Sequence, residues 1–256
     1  MPSLSAVIIT FNEEKNIARC LRSLQGVADD LVVIDAFSTD QTKAISETLG
    51  ARVIEHRWEG YAASRNFGSD QAHNDWIVYI DADEELTDEL KQSILSIKTN
   101  PFTLFYRCKI LINYCGKWIR HSGWYPGIKI RMFDRRTARW KGNVHEKIEI
   151  NDENARIELL YGNVLHYAYS SIEEHKKKNE RYSALMAIEL FNQGKKISSF
   201  SIKLRQWFTF IRSYILKLGF LDGYYGYKIS QLSGEYTRMK YEKLLALYAD
   251  KTSVHT

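Results

Sequence analysis

No stretch of the 256 residues approaches the roughly 18 uncharged apolar positions that a membrane span requires, so no transmembrane helix is expected. Cysteine is scarce. Cys20, Cys108 and Cys115 are widely spaced and odd in number, with no CxxC pair or zinc pattern, which fits buried thiols in a reducing compartment. There is no internal repeat and no low-complexity segment. The start has no basic leader or cleavage site, and Leu4-Ser-Ala-Val-Ile-Ile-Thr reads as a first strand instead. The expected location is cytoplasmic, at most peripheral on the inner face of the cell membrane.

What is present is an ordinary globular composition, 45% hydrophobic and 26% charged, long enough for one α/β domain with appendages. The net charge of +5 is unevenly placed: Lys195 to Thr256 holds eleven Lys and Arg against four Asp and Glu, which leaves residues 1–194 slightly acidic.

Strands are expected at Ala6–Thr10, Asp30–Asp35, Arg52–Glu55 and Trp76–Ile80, from their apolar, β-branched runs. Helices are expected from Asn12 to Leu24, from Ser38 to about Leu49, after Gly60–Gly68 and from a Thr87 cap to about Lys98. Such alternation implies right-handed crossovers and a largely parallel, Rossmann-like sheet. Ligands then bind beyond the carboxyl ends of the strands. Residues 1–100 form the first half of the domain in this reading. Residues 101–170, with strands such as Thr103–Lys109, Lys129–Phe133, Lys147–Ile150 and Arg156–Leu160, several of antiparallel character, form its second half. Residues 171–256 are a helical, basic extension.

The strongest local signal is Val78-Tyr-Ile-Asp-Ala-Asp-Glu-Glu. A strand that delivers two carboxylates one residue apart presents both at its open end, where Mg²⁺ or Mn²⁺ can bridge them to a diphosphate. The plainer reading is a solvated acidic helix start, but an apolar strand before and a capped helix after favour the site. Asp35, ending Val32-Val-Ile-Asp, can accept hydrogen bonds from a base or ribose, with Ser38 as cap of the next helix. Arg65 and Asn66 are placed to reach phosphate or ribose.

Four ordered blocks carry a resemblance: Val7-Ile-Ile-Thr-Phe-Asn-Glu-Glu, Val33-Ile-Asp-Ala-Phe-Ser-Thr-Asp-Gln-Thr, Ala63-Ser-Arg-Asn-Phe-Gly and Tyr79-Ile-Asp-Ala-Asp-Glu. Together they resemble glycosyltransferase family 2, with the GT-A nucleotide-diphospho-sugar transferase fold. His121-Ser-Gly-Trp-Tyr-Pro, Arg131-Met-Phe-Asp-Arg, Val144-His-Glu-Lys and His166-Tyr are similar to the branch containing lipopolysaccharide core glucosyltransferases. The resemblance implies that Thr10, Asn12 and Glu13 line the nucleotide pocket and that Asp35 contacts the base. It also implies Arg65 near ribose or diphosphate, Asp81 near the ribose and Asp83 on the metal, and makes residues 1–100 the nucleotide-sugar-binding half and residues 101–170 the acceptor-binding half of one domain. The reaction it implies is an inverting transfer of a hexose, glucose by this branch, from a UDP-sugar to a glycolipid or polysaccharide acceptor. Two departures from the family stand out: Asp35 is followed by Ala36 instead of a second acid, and Gly127 stands after Trp-Tyr-Pro where the branch often has an acid.

An inverting transfer needs a carboxylate base. Glu146 is the candidate, with Asp134 and Asp222 as alternatives, and His145 is a candidate metal or diphosphate ligand. Trp124 and Tyr125, with Trp118 nearby, are candidates for stacking on an acceptor sugar, against the plainer reading of a buried aromatic cluster. In residues 200–221, Trp207, Phe208, Ile211, Tyr214, Ile215 and Leu218 share one helical face, flanked by Arg205 and Arg212. That pattern suits an anionic membrane surface, or packing on the rest of the chain. Nucleic acid is not an expected partner, because no recognised module accompanies the basic charge and the strand-end residues are acidic. Two rivals remain from other classes. A nucleotidyltransferase acting on sugar phosphates would carry a Gly-rich, Lys/Arg-bearing loop after the first strand, where this chain has Thr10-Phe-Asn-Glu-Glu. A non-catalytic glycan-binding or scaffolding protein would keep the fold alone.

Overall fold

Seven consecutive buried residues, Leu4–Thr10, form the central strand β1. Burial on both faces is what a run of β-branched side chains accepts when helices cover a parallel sheet. In a computed structural model that describes residues 3–99, 101, 103–142, 147–152 and 154–253, β1 is flanked by β2 (Asp30–Asp35) and β4 (Trp76–Tyr79), both parallel to it. Strand β3 (Arg52–Glu55) adds outside β2, also parallel. The helices between them are α1 (Ile17–Leu24), α2 (Thr42–Thr48) and α3 (Tyr61–Gln71).

Strands added later pair differently. β5 (Glu84–Leu86) precedes α4 (Asp88–Thr99), and β6 (Phe105–Tyr114), β7 (Lys117–Ile119) and β8 (Gly127–Asp134) follow. β9 (Ala138–Lys141) and β10 (Lys147–Ile150) form a separate two-stranded ribbon, and β11 (Ile157–Tyr169) is the longest strand. The main sheet runs β3-β2-β1-β4-β8-β6-β11-β5, with β7 on β6. It is parallel through β4; β8 then pairs antiparallel with both β4 and β6, and β5 antiparallel with β11. The order 3-2-1-4 reverses direction between β1 and β4, and the crevice at such a reversal is where open α/β sheets bind ligands.

Two helix starts lie later than the sequence periodicity predicts. Helix α1 begins at Ile17, because Asn12 sits at φ 54, in the left-handed region, and breaks any helix there. Helix α2 begins at Thr42, and Ser38 caps nothing: its backbone N and hydroxyl both donate to Asp35. Thr87 does accept from the N of Leu90 at the start of α4.

The chain divides into two compact units, residues 1–111 with 127–166, and residues 112–126 with 167–256. The first holds the parallel strands and a core of Val7, Val32, Ile77, Tyr79, Phe105, Phe133 and their neighbours. Cys20 and Cys108 are buried and Cys115 is half-buried, all three as free thiols.

The second unit contains α5 (Ile172–Asn192), α6 (Ser199–Ile211) and α7 (Gly223–Ser253), with α7 packed along both others. Gly226 lies inside α7, where a Cβ would stand 1.8 Å from the Gly219 carbonyl oxygen, so close approach rather than bending requires the glycine. Ile202 is the buried side of α6, while Phe200 and Trp207 on its other side are 86% and 65% exposed. Among the described residues no helix is long and apolar enough to cross a membrane.

An aromatic box of Tyr114, Trp124 and Tyr169 surrounds buried His175, whose Nδ1 lies 3.0 Å from the Tyr114 hydroxyl, and Tyr225 packs edge-on against Tyr114. Burial, helped by Lys178, lowers the His175 pKa to about 4. Below pH 6.5 the unfolded chain takes up a proton that the folded state refuses, so stability falls as pH drops from 6.5 to about 4 and this contribution then levels off. The pKa difference corresponds to about 3 kcal/mol. In urea denaturation at pH 7 and pH 4.5, His175→Gln is expected to show a pH-dependent loss about 2 kcal/mol smaller than the parent's. Equal losses would contradict the buried neutral imidazole.

Candidate active site

The loops after β1 and β2 are stitched together before any ligand arrives. The backbone N of Asn12 donates to the Ser38 hydroxyl at 2.8 Å, and its side-chain Oδ1 accepts from the N of Thr39 at 2.8 Å. The N of Glu13 donates to the Thr42 hydroxyl at 2.8 Å, and the Glu13 carboxylate accepts from Asn16 at 2.7 Å. Thr10 and Asp35 are register partners at the carboxyl edge of β1 and β2. Asp35 is fully buried and held by Ser38 at 2.8 and 2.5 Å. The buried Thr10 hydroxyl has no hydrogen-bond partner among the described residues, which leaves it available to a ligand.

Helix α3 carries Arg65 to the same edge. Gly68, one turn later on the same buried face, lets the helix sit on β1: a Cβ there would lie 2.5 Å from Val7 Cγ1. Arg65 is stacked against Trp140 at 4.5 Å and Tyr79 at 5.3 Å, and donates to Asp81 Oδ1 at 2.9 Å. From β8, Arg131, only 1% exposed, donates to Asp81 Oδ2 at 3.2 Å and also to buried Glu84. Burial alone would raise the Asp81 pKa, but Arg131 and Arg65 outweigh it and hold the carboxyl well below the usual range. Glu84, behind Arg131, is pushed up by burial against the pull of that guanidinium. Asp81 is therefore a fixed carboxylate, clamped between two guanidinium groups.

Asp83 faces another partner. The pairing of β5 with β11 sets His166 opposite Glu84, and His166 Nε2 lies 3.1 Å from Asp83 Oδ2. Burial would lower the His166 pKa, but the hydrogen bond and charge of Asp83 raise it. An acidic oxygen beside an imidazole nitrogen fits a divalent ion that takes its other ligands from phosphate and water. Among the described residues no group of three or more His, Cys, Asp and Glu converges, here or elsewhere, so Asp83 and His166 are the two side chains this edge offers to an ion.

Neither alternative base is open. Both oxygens of buried Asp134 accept from Arg136, and both oxygens of Asp222 accept from Arg120 and His121 in the second unit. His145 and Glu146 lie outside the described residues. In the second unit, Trp124 is half-buried in the box around His175. Half-buried Tyr125 has the Arg120 guanidinium 6.0 Å from its ring. Trp118 stacks edge-on against Tyr167. His166, Arg131 and Glu84 are site residues to which the sequence reading gave no role. His166-Tyr was visible as one block of the resemblance, but not the register that brings it to Asp83.

Residues 5–151 match the family described as Glycosyl transferase family 2. An uncharacterized glycosyltransferase of Rickettsia typhi is 34% identical over 239 residues, covering 89% of this chain and 81% of that protein. The lipopolysaccharide core biosynthesis glycosyltransferase LpsC of Rhizobium meliloti is 30% identical over 229 residues, covering 82% of this chain and 80% of LpsC. A solved structure of glucosyl-3-phosphoglycerate synthase from Mycobacterium tuberculosis aligns over 44% of each chain at 21% identity, with a TM-score of 0.38. With more than half of its length matched to the family and relatives aligned along most of theirs, the chain belongs to glycosyl transferase family 2 and is a glycosyltransferase.

Proposed function

We propose that the chain transfers a hexose, with inversion, from a UDP-sugar to a membrane-presented glycolipid such as lipopolysaccharide core. The observation that carries this reading is the pairing of Asp83 with His166 beside a clamped Asp81, at the strand-order reversal. Asp83 and His166 would hold Mg²⁺ or Mn²⁺, which supplies charge neutralisation for the departing diphosphate. His166 is the imidazole we assign, since it stands beside Asp83. Thr10 offers its unpartnered hydroxyl to the nucleotide, Asn12 and Glu13 shape that pocket, and Asp35 faces the base. Asp81, held in one orientation by Arg65 and Arg131, accepts from the ribose. Glu146 removes the proton from the attacking acceptor hydroxyl. Trp124 and Tyr125 are assigned to the acceptor on the chemistry of their rings. The name of LpsC supports a glycan acceptor of the lipopolysaccharide class.

A thermal-shift screen of nucleoside diphosphates tests the donor half of this reading. Ligand at 100 times its Kd stabilises by about 2.7 kcal/mol, or roughly 5–10 °C for a chain of this size. UDP with Mn²⁺ is expected to give that shift, and UDP with EDTA much less. An identical shift under both conditions would remove the metal from the proposal, and no shift would remove the nucleotide.

The membrane half rests on α6 and the segment after it. Phe200, Leu204, Trp207, Phe208 and Leu216 are exposed on this segment, and Lys203, Arg205, Arg212 and Lys217 accompany them. Aromatic and aliphatic side chains with interspersed cations suit the interface of an anionic bilayer. The full chain is expected to co-sediment with phosphatidylglycerol-containing vesicles and poorly with pure phosphatidylcholine. Phe200→Glu with Trp207→Glu should cut binding about tenfold or more, given about 1.5–3 kcal/mol per large apolar side chain buried. Undiminished sedimentation of the variant would reject this surface.

A further inference from the structure

Next to Asp81 is a cleft of about 260 Å³ whose lining includes four cations, Arg65, Lys129, Arg131 and Lys147, with Trp140 and no acidic residue. Two of its buried donors have nothing to donate to: Arg131 Nε and Trp140 Nε1 have no hydrogen-bond partner among the described residues. An orphaned buried N–H is costly, and a cationic wall with two of them is a seat made for an acceptor-rich anion. The charges already matched are Arg65 and Arg131, which face Asp81 and Glu84. Lys129 and Lys147 have no carboxylate partner among the described residues, so the lining keeps a surplus of positive charge.

We propose that this cleft seats a carboxylate or phosphate carried by the acceptor, so that the acceptor glycan is an anionic one. The inference rests on the glycosyl-transfer reading and adds the substrate class. Its walls favour the acceptor over the donor. All the lining residues except Arg65 come from β8, β9 and β10, beyond the four parallel strands whose ends carry Thr10, Asp35 and Asp81. Lys147 directly follows Glu146, the carboxylate assigned to deprotonate the acceptor. The donor diphosphate has its own counter-charge in the ion assigned to Asp83 and His166. The lysines of this second cationic seat are then free to take a second anion.

The test is calorimetric titration of inorganic phosphate into the full chain saturated with UDP and Mg²⁺. Phosphate is expected to bind this loaded protein. The variant Lys129→Gln/Lys147→Gln should weaken phosphate about fivefold or more, the loss of two charge-assisted contacts at partly exposed positions, while the Kd for UDP changes less than about twofold. Both lysines are exposed, so the fold is not at risk. Failure of phosphate to bind the loaded parent, or equal binding by the variant, would mean the cleft is no oxyanion seat. Competition of phosphate with UDP, together with loss of UDP affinity in the variant, would hand the cleft to the donor diphosphate. If UDP itself fails to bind in the presence of Mg²⁺, the glycosyl-transfer reading falls first and takes this inference with it.

Discussion

Asp83→Ala is expected to lower glycosyl transfer about a thousandfold, because the change removes the carboxylate assigned to the cation that neutralises the leaving diphosphate, a contribution of several kcal/mol. The same variant should lose the Mn²⁺-dependent part of UDP stabilisation. Its melting temperature without ligand should stay close to the parent's, since the Asp83 side chain is 26% exposed and its interaction with His166 lies near the surface. His166→Ala is the graded companion: one of two protein ligands is lost while the carboxylate remains, so its deficit should be smaller and should narrow at high Mn²⁺ concentration. Full turnover by Asp83→Ala would show that no catalytic ion is held there. Because the readouts are rate, metal-dependent affinity and bare stability, a folding defect cannot pass for a lost ion.

The parallel strands were legible because each is a short apolar run, β1 and β4 buried throughout and β2 and β3 rich in β-branched residues, and β2 and β3 match their predicted bounds residue for residue. The motif Asp81-Ala-Asp was legible for the same reason, since the strand before it fixes where the carboxylates emerge. Helix starts were less so. Periodicity locates the apolar face of α1 but not Asn12, whose left-handed backbone is set by contacts with Ser38 and Thr39 in another loop. Of what surrounds the two carboxylates, Arg65 alone was legible. β5 has only three residues, too few for a pattern, yet its pairing with β11 across some eighty positions brings His166 to Asp83. Arg131 reads as one more cation in a mixed strand until β8 pairs with β4 and aligns Met132 with Val78. Nor did composition separate residues 112–126 from the strands around them, although they group with the helices that begin sixty residues later. Long-range register, not local propensity, assembles this site.

That dependence on register gives Arg131→Met a large expected effect on stability. The substitution keeps most of the side-chain volume and removes only the guanidinium. Glu84, itself 1% exposed, is left with no counter-charge, and Asp81 keeps Arg65 alone. Removing one partner of a buried ion pair costs about 3–5 kcal/mol, which for a chain of this length lowers the melting temperature by about 10 °C. The loss should come from the stranded carboxylate and not from packing, and a double-mutant cycle separates the two. Glu84→Gln in the Arg131→Met background removes the uncompensated charge and should restore about 1–2 kcal/mol, whereas the same change in the parent should destabilise. A purely steric role for Arg131 would make the two substitutions additive. Non-additivity of the expected sign would identify the Asp81–Arg131–Glu84 cluster as a scaffold in which a buried charge exists to aim a neighbouring carboxylate, and transfer activity should then fall in Arg131→Met even at temperatures where the variant is fully folded.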